Sequence, residues 1–244
     1  RTFFYYIFNL MEDFVHLHVH TYYSLLDGQS SVQKLVDKAI ADGMKGMAIT
    51  DHGNMFGIKE FFNYCNKVNG KLKKEGKEPF KPIFGCEMYV AHHRKEDKVK
   101  EHGDMGGYHL IVLAKNYHGY KNLIKLVSRA WVDGYYMRPR TDREDLEKYH
   151  EDLIVCSACI AGEVPKKILN GDIEGAREAI EWYHRVFGDD YYLELQRHEV
   201  KNPHQRANRE TFPLQQKANR VLIELAHEYG IKLVCTNDSH FVDE

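Results

Sequence analysis

The chain has 244 residues, of which 43% are hydrophobic and 29% charged, and its formal net charge is -2 at pH 7. These values suit one compact domain with a real core, and they exclude a disordered tail, a collagen-like chain and a small disulfide-stapled scaffold. They also exclude a basic nucleic-acid-binding domain, leaving only a local positive site, which bound metal ions could supply.

In chain order, short apolar runs alternate with helical patterns. Seven runs read as strands: residues 14–20, 44–50, 81–91, 109–114, 153–158, 191–196 and 232–237. Between them, a helix capped by Ser30 or Ser31 runs to Ala41 and stops at Gly43. Further helices are predicted over residues 55–68, 116–131, 173–187 and 222–229. Segments 71–81 and 92–107 are rich in Lys and Glu and read as solvated loops. Alternating strands and helices predict a parallel sheet with crossover helices. Seven strands point to a (β/α)7-type barrel, with an open doubly wound sheet as the alternative.

The chain holds 15 histidines, well above the ordinary share, and histidine is the commonest metal ligand. Potential ligands collect where the predicted strands end. The first strand carries His16, His18 and His20, which alternation places on one face. Thr50-Asp51-His52-Gly53 ends the second, where Asp51 could equally cap the next helix. Glu87 sits among apolar residues, a costly place for an unpaired carboxylate. His109 opens the fourth strand, Cys156 and Cys159 follow the fifth, and Asn237-Asp238-Ser239-His240 ends the last. The C-terminal ends of parallel barrel strands form the active face. A His, carboxylate and thiolate set suits Zn, Mn or Fe, and so many candidates fit two or three ions better than one. Three divalent ions would outweigh Asp27, Glu87, Asp238 and a Cys159 thiolate, leaving a positive site that attracts phosphate. No second Cys-x-x-Cys is present, so a four-cysteine ribbon is excluded. Cys65, Cys86 and Cys235 read as buried fillers, and the irregular cysteine spacing suggests a reducing cytoplasm.

Several of these segments carry a family resemblance. His18-Val19-His20-Thr21 with Tyr23-Ser24-Leu25-Leu26-Asp27-Gly28 resembles the first motif of the PHP (polymerase and histidinol phosphatase) superfamily, and Thr50 to Gly57 resembles the second. Gly85-Cys86-Glu87-Met88-Tyr89 and Asn237-Asp238-Ser239-His240-Phe241 resemble later ones. More narrowly, residues 109–116, 119–123, 159–164 and 192–196 are similar to the amino-terminal domain of bacterial DNA polymerase III alpha subunits. The resemblance covers residues 12–244, which makes residues 1–11 an expected extension. It implies a distorted (β/α)7 barrel of the PHP type, with a trinuclear site at the C-terminal ends of the strands. The implied ligands are His18, His20, Asp27, His52, Glu87, His109, Cys159, Asp238 and His240, holding two to three divalent ions (Zn, Mn or Fe). Asp27, Glu87 and Asp238 are the expected catalytic carboxylates, with Glu87 bridging. His16, Asp51 and His198 are expected beside the ligands, orienting them. Arg138 and Arg140 are weaker candidates for DNA phosphate contacts, in a segment that reads otherwise as a solvated loop.

The implied activity is metal-dependent 3′–5′ exonucleolytic hydrolysis. The implied partners are a DNA primer 3′ end, polymerase domains following in the same subunit and other replisome subunits, with no membrane contact. Two further readings stay open: a non-catalytic scaffold that stabilises the polymerase or docks a proofreading subunit, and a small-molecule phosphoesterase of the histidinol phosphatase type.

Overall fold

The computed structural model describes residues 14–25, 27–98 and 106–242. The expected extension over residues 1–11 lies outside the described residues. In chain order the elements are α1 (Val32–Ala41), β1 (Gly46–Ile49), α2 (Ile58–Lys74), β2 (Lys81–Val90), β3 (Tyr108–Ala114), α3 (Tyr117–Val132), β4 (Tyr135–Tyr136), β5 (Arg138–Thr141), α4 (Arg143–Lys148), β6 (Leu153–Cys156), α5 (Glu163–Leu169), α6 (Ile173–Phe187), β7 (Tyr191–Gln196), α7 (Phe212–Tyr229) and β8 (Lys232–Thr236).

The helices form where the apolar period dictates. In α1, Val32, Leu35, Val36 and Ala39 make the buried stripe, and Ser31 accepts the amide of Lys34 as N-cap. Helix α2 runs on to Lys74, through part of the segment read as a loop. Its last turn holds Lys71, Lys73 and Lys74, good helix formers that also complement the C-terminal dipole. Helix α7 begins ten residues before the expected 222, at Phe212. The apolar pattern predicts neither α4 nor α5. In α5, Pro165 reads as a breaker but sits in the first turn, where no amide is needed.

The strands close a distorted ring. From β2 the order runs to β3, β6, β7 and β8, while β1 pairs with β2. The segment before α1 closes the gap through bridges His16↔Met47 and Val19↔Ser239. The Ala48 amide donates to the His16 carbonyl and the His20 amide to the Ser239 carbonyl, each at 2.8 Å. Thus the seven expected strand segments all enter the ring. The first does so by isolated bridges rather than a ladder, because the chain bends at His18.

The expectation of a parallel sheet needs correction. Strand β3 is antiparallel to both β2 and β6, whereas β1–β2, β6–β7 and β7–β8 are parallel. A parallel return requires a crossover of a dozen or more residues, usually helical. The described residues between β2 and β3 hold no helix. The inversion has a functional consequence. It carries the start of β3, and hence His109, to the end of the barrel where its neighbours finish.

The outer core joins the sheet to α3, α5, α6 and α7 through residues such as Val112, Leu126, Ile180 and Leu222. A second cluster packs α1 and α2 on β1. Inside the barrel, Ala48, Ile111, Leu113, Cys156 and Ala158 form a small apolar plug. Buried polar residues lie among these strands too: His18, His20, Glu87, Glu194, Gln196 and Thr236. Burying them would be costly without partners. Among the described residues no helix is long and apolar enough to cross a membrane.

Candidate metal centre

The polar end of the barrel is built around Glu87, which no solvent reaches. Its two oxygens face different neighbours. Oε2 lies 2.9 Å from His18 Nε2 and 3.7 Å from His20 Nε2. Oε1 lies 2.6 Å from His52 Nδ1 and 2.9 Å from His109 Nδ1. Asp238 Oδ1 lies 3.1 Å from Nε2 of both His18 and His20. Asp27 Oδ2 is 3.0 Å from His52 Nε2 and 3.9 Å from His240 Nε2. Cys159 Sγ is 3.7 Å from His109 Nδ1. All nine ligand candidates therefore meet.

Eight of them form three overlapping groups whose ligand atoms lie within 4.8 Å of one another. These are His20, His52 and His240; His18, His20, Glu87 and Asp238; and Glu87, His109 and Cys159. His20 and Glu87 each belong to two groups. Asp27 stands at the outer edge beside His52, with half its side chain exposed.

Local backbone explains the convergence. Asp238 adopts φ 48°, a left-handed conformation that Asp tolerates better than most residues. Ala158, at φ 62°, turns the chain after β6. Gly162 packs so closely on Ser157 that a Cβ there would sit 2.0 Å from its carbonyl oxygen. This tight loop delivers Cys159, and its Ala161 carbonyl accepts the His109 amide.

The outward nitrogens of two histidines are already used. His18 Nδ1 lies 2.7 Å from Glu194 Oε1, and Gln196 Nε2 and the Thr236 hydroxyl also donate to that oxygen. His20 Nδ1 donates to Ser24 Oγ at 3.0 Å, while that hydroxyl donates to Asp51 at 2.8 Å. Ser24 Oγ also accepts the His52 amide. The Nε2 atoms of His18 and His20 are left facing each other at 3.1 Å, beside two carboxylates. Asp238 Oδ1 is buried and has no hydrogen bond of acceptable geometry. Once the Nε2 protons are displaced, these nitrogens and carboxylates converge as acceptors with the second nitrogens pinned, as a divalent cation requires, so this donor set fits a metal cluster.

The imidazoles and carboxylates shift one another's protonation. Burial pushes Glu87 and Asp238 up, but the histidines around them outweigh it and hold both well below the usual carboxylate range. Burial pushes His18, His20 and His109 down, yet the carboxylates win. His20 rises to about 9, His109 to about 11, and His18 well above its ordinary value. His240 is lowered, by burial first and then by His20, on which it stacks at 4.3 Å. Burial raises the Cys159 thiol against the pull of His109.

Comparison with known proteins gives this arrangement a family. Residues 16–198 match the PHP domain. The chain belongs to the PHP domain family. It is 44% identical over 232 residues to the DNA polymerase III subunit alpha of Borreliella burgdorferi, covering 94% of this chain and 18% of that protein. It is 39% identical to the subunit of the same name from Thermus aquaticus, covering 94% of this chain and 17% of the relative. The chain thus spans less than a fifth of the length of these relatives. A solved structure from Bifidobacterium adolescentis, provisionally described as a metal-dependent phosphoesterase, shares the fold. Its TM-score is 0.52 at 14% identity, covering 94% of this chain and 88% of that one.

Other sequence candidates in this PHP domain fall differently. Asp51 does not cap α2, whose N-cap is Gly57. It anchors Thr21 and Ser24 instead. His198 Nε2 lies 2.6 Å from the Asn237 carbonyl, bracing the turn that carries Asp238. His16 does not join the cluster. The bend at His18 breaks the alternation, so Leu17 packs inside the barrel and His16 lies outside, against Lys38 and Asp42 of the α1 end.

Arg138 and Arg140 belong to β5, not to a solvated loop. Arg138 is exposed, 5.4 Å over the Tyr89 ring, which itself lies 5.2 Å from His109. Arg140 is unsuited to DNA. It is 3% exposed and donates to the carbonyls of Gly134, Lys95 and Asp97. Cys65 and Cys86 are buried as expected, but Cys235 is exposed. Two supporting residues escaped the sequence reading, Glu194 and Ser24. The signal for Glu194 was a lone carboxylate in an apolar strand, the same signal that marked Glu87.

Proposed function

We propose that this chain is the PHP domain of a DNA polymerase III alpha subunit, and that it hydrolyses phosphodiester bonds at a trinuclear metal site, acting as a 3′–5′ exonuclease. The observation that carries the reading is the sharing of Glu87 and His20 between adjacent ligand groups, with all nine candidate ligands together. A single structural ion needs four to six ligands and no such sharing. The 44% identity to a polymerase subunit supports the choice of a nucleic acid substrate.

Bound ions would supply Lewis-acid stabilisation of phosphoryl oxygens and an activated water. The protein's part is positional. Glu87 directs one oxygen to His18 and His20 and the other to His52 and His109. Asp238 joins the first pair, and His109 with Cys159 completes the far side. Asp27 and His240 line the more open edge, where a strand end would enter. In the reaction, a water oxygen bonds to the terminal phosphorus and the P–O3′ bond breaks. The O3′ takes a proton, and a nucleoside monophosphate leaves.

The test is nucleotide release from a mismatched primer end with Zn, Mn or Fe supplied. Release is expected from the unsubstituted chain and its loss from Asp27→Asn and Asp238→Asn. Equal release by those variants would point to a contaminating nuclease and sink the reading.

A further inference from the structure

Beside the metal centre runs a ridge of exposed aromatic rings that the ligand set does not use. Phe56, Trp131 and Tyr135 are 59%, 42% and 48% exposed. Their rings follow one another, Phe56 to Trp131 at 6.3 Å and Trp131 to Tyr135 at 5.5 Å with only 22° between planes. An exposed run of large aromatics is unusual on a soluble domain and marks an interaction surface.

The ridge is fixed to the metal centre. The Trp131 indole donates to the Gly53 carbonyl at 2.8 Å, and the Gly53 amide donates to the Glu87 carbonyl at 2.8 Å. Gly53 follows the ligand His52 directly, and Phe56 lies on the same loop. Arg138 lies 5.4 Å over the Tyr89 ring, the same ring that a Cβ on Gly53 would meet at 3.1 Å, which brings a guanidinium to the Gly53 loop, and Arg138 makes no ion pair among the described residues.

We propose that Phe56, Trp131 and Tyr135 form a stacking platform for the unpaired bases of a single-stranded nucleic acid end, with Arg138 taking a backbone phosphate. This rests on the hydrolytic reading above and adds its substrate preference. Flat rings in series beside one cation match how single strands are bound without regard to sequence. A duplex hides its base faces, so the platform favours a frayed or mismatched end over a paired one. Discrimination then comes from access to the base face, not from reading base edges.

Fluorescence tests this directly. The chain has two tryptophans, so Trp182→Phe leaves Trp131 as the sole reporter. Titration with a short oligothymidylate in the presence of a chelator should quench Trp131, and the same sequence in a blunt duplex should quench far less. In that background, Phe56→Ala and Tyr135→Ala should each weaken oligothymidylate binding roughly five- to a hundredfold. In the metal-loaded chain they should raise KM for the oligonucleotide far more than for bis(p-nitrophenyl) phosphate. Equal affinity in both variants, or equal quenching by duplex, overturns the platform. If no phosphodiester is cleaved under any metal, the hydrolytic reading fails, while the chelated titration still decides the platform.

Discussion

Glu194 Oε1 lies 2.7 Å from Nδ1 of His18, and neither side chain is reached by solvent. The carboxylate accepts the Nδ1 proton, so the nitrogen lone pair of neutral His18 sits on Nε2, facing Glu87 and Asp238. Outer partners of this kind commonly change metal affinity by about 10- to 100-fold. Glu194→Leu should therefore lower metal affinity by that order in a chelator competition, and Glu194→Gln, which keeps an acceptor but no charge, should fall between. Unchanged affinity in Glu194→Leu would show that His18 needs no such support.

Metal uptake should release protons. His20, raised to about 9, and His109, raised to about 11, both carry protons at neutral pH. An incoming cation must displace them. Calorimetry in buffers of different ionisation enthalpy should register that release near pH 7.5, and heats independent of buffer would contradict it. The same shifts set the stability of the chelated chain. A raised folded value for His20 gives stabilisation that is full below its ordinary 6.5 and is lost as pH climbs through about 9. With chelator the melting temperature should fall across that interval.

Gly53 has φ 62°, and a Cβ there would stand 2.7 Å from Pro139 Cγ and 3.1 Å from the Tyr89 ring. Gly53→Ala thus combines a left-handed backbone with a clash. A cost of about 1–3 kcal/mol is expected, which corresponds to a melting point several degrees lower. Gly43→Ala shares the left-handed φ but meets open space, so it should cost less. Thermal melts of the two variants side by side make the comparison.

Two neighbouring arginines should separate cleanly. Arg140 is buried and donates to three carbonyls. Arg140→Ala leaves those acceptors unpaired and should destabilise by about 1–3 kcal/mol in denaturant unfolding. Arg138 is exposed, so Arg138→Ala should leave stability nearly unchanged. It should weaken oligonucleotide binding and reduce the slope of log affinity against log salt by about 1. Reversed effects would mean that their roles are exchanged.

The sequence made much of this centre legible because its candidate ligands lie at strand ends, where period-2 patterns stop and His, Asp and Glu begin. The failures have local causes. Strict alternation puts His16 on the ligand face, and the bend at His18 shifts the phase. Alternating elements predict a parallel sheet, although residues 92–107 read as a solvated loop and not as a crossover helix. Glu194 was visible in its strand, but its purpose needs the third dimension, since it meets His18 across 176 residues. Ser24 is similar. A serine beside a turn is ordinary until its hydroxyl is seen between His20 and Asp51.

The most direct measurement is metal content of the purified chain by elemental mass spectrometry after Zn or Mn is supplied, beside Asp27→Asn. Shared Glu87 and His20 lead to an expectation of two to three equivalents, reduced in the variant. Less than one equivalent in the unsubstituted chain would contradict a metal cluster at this end of the barrel.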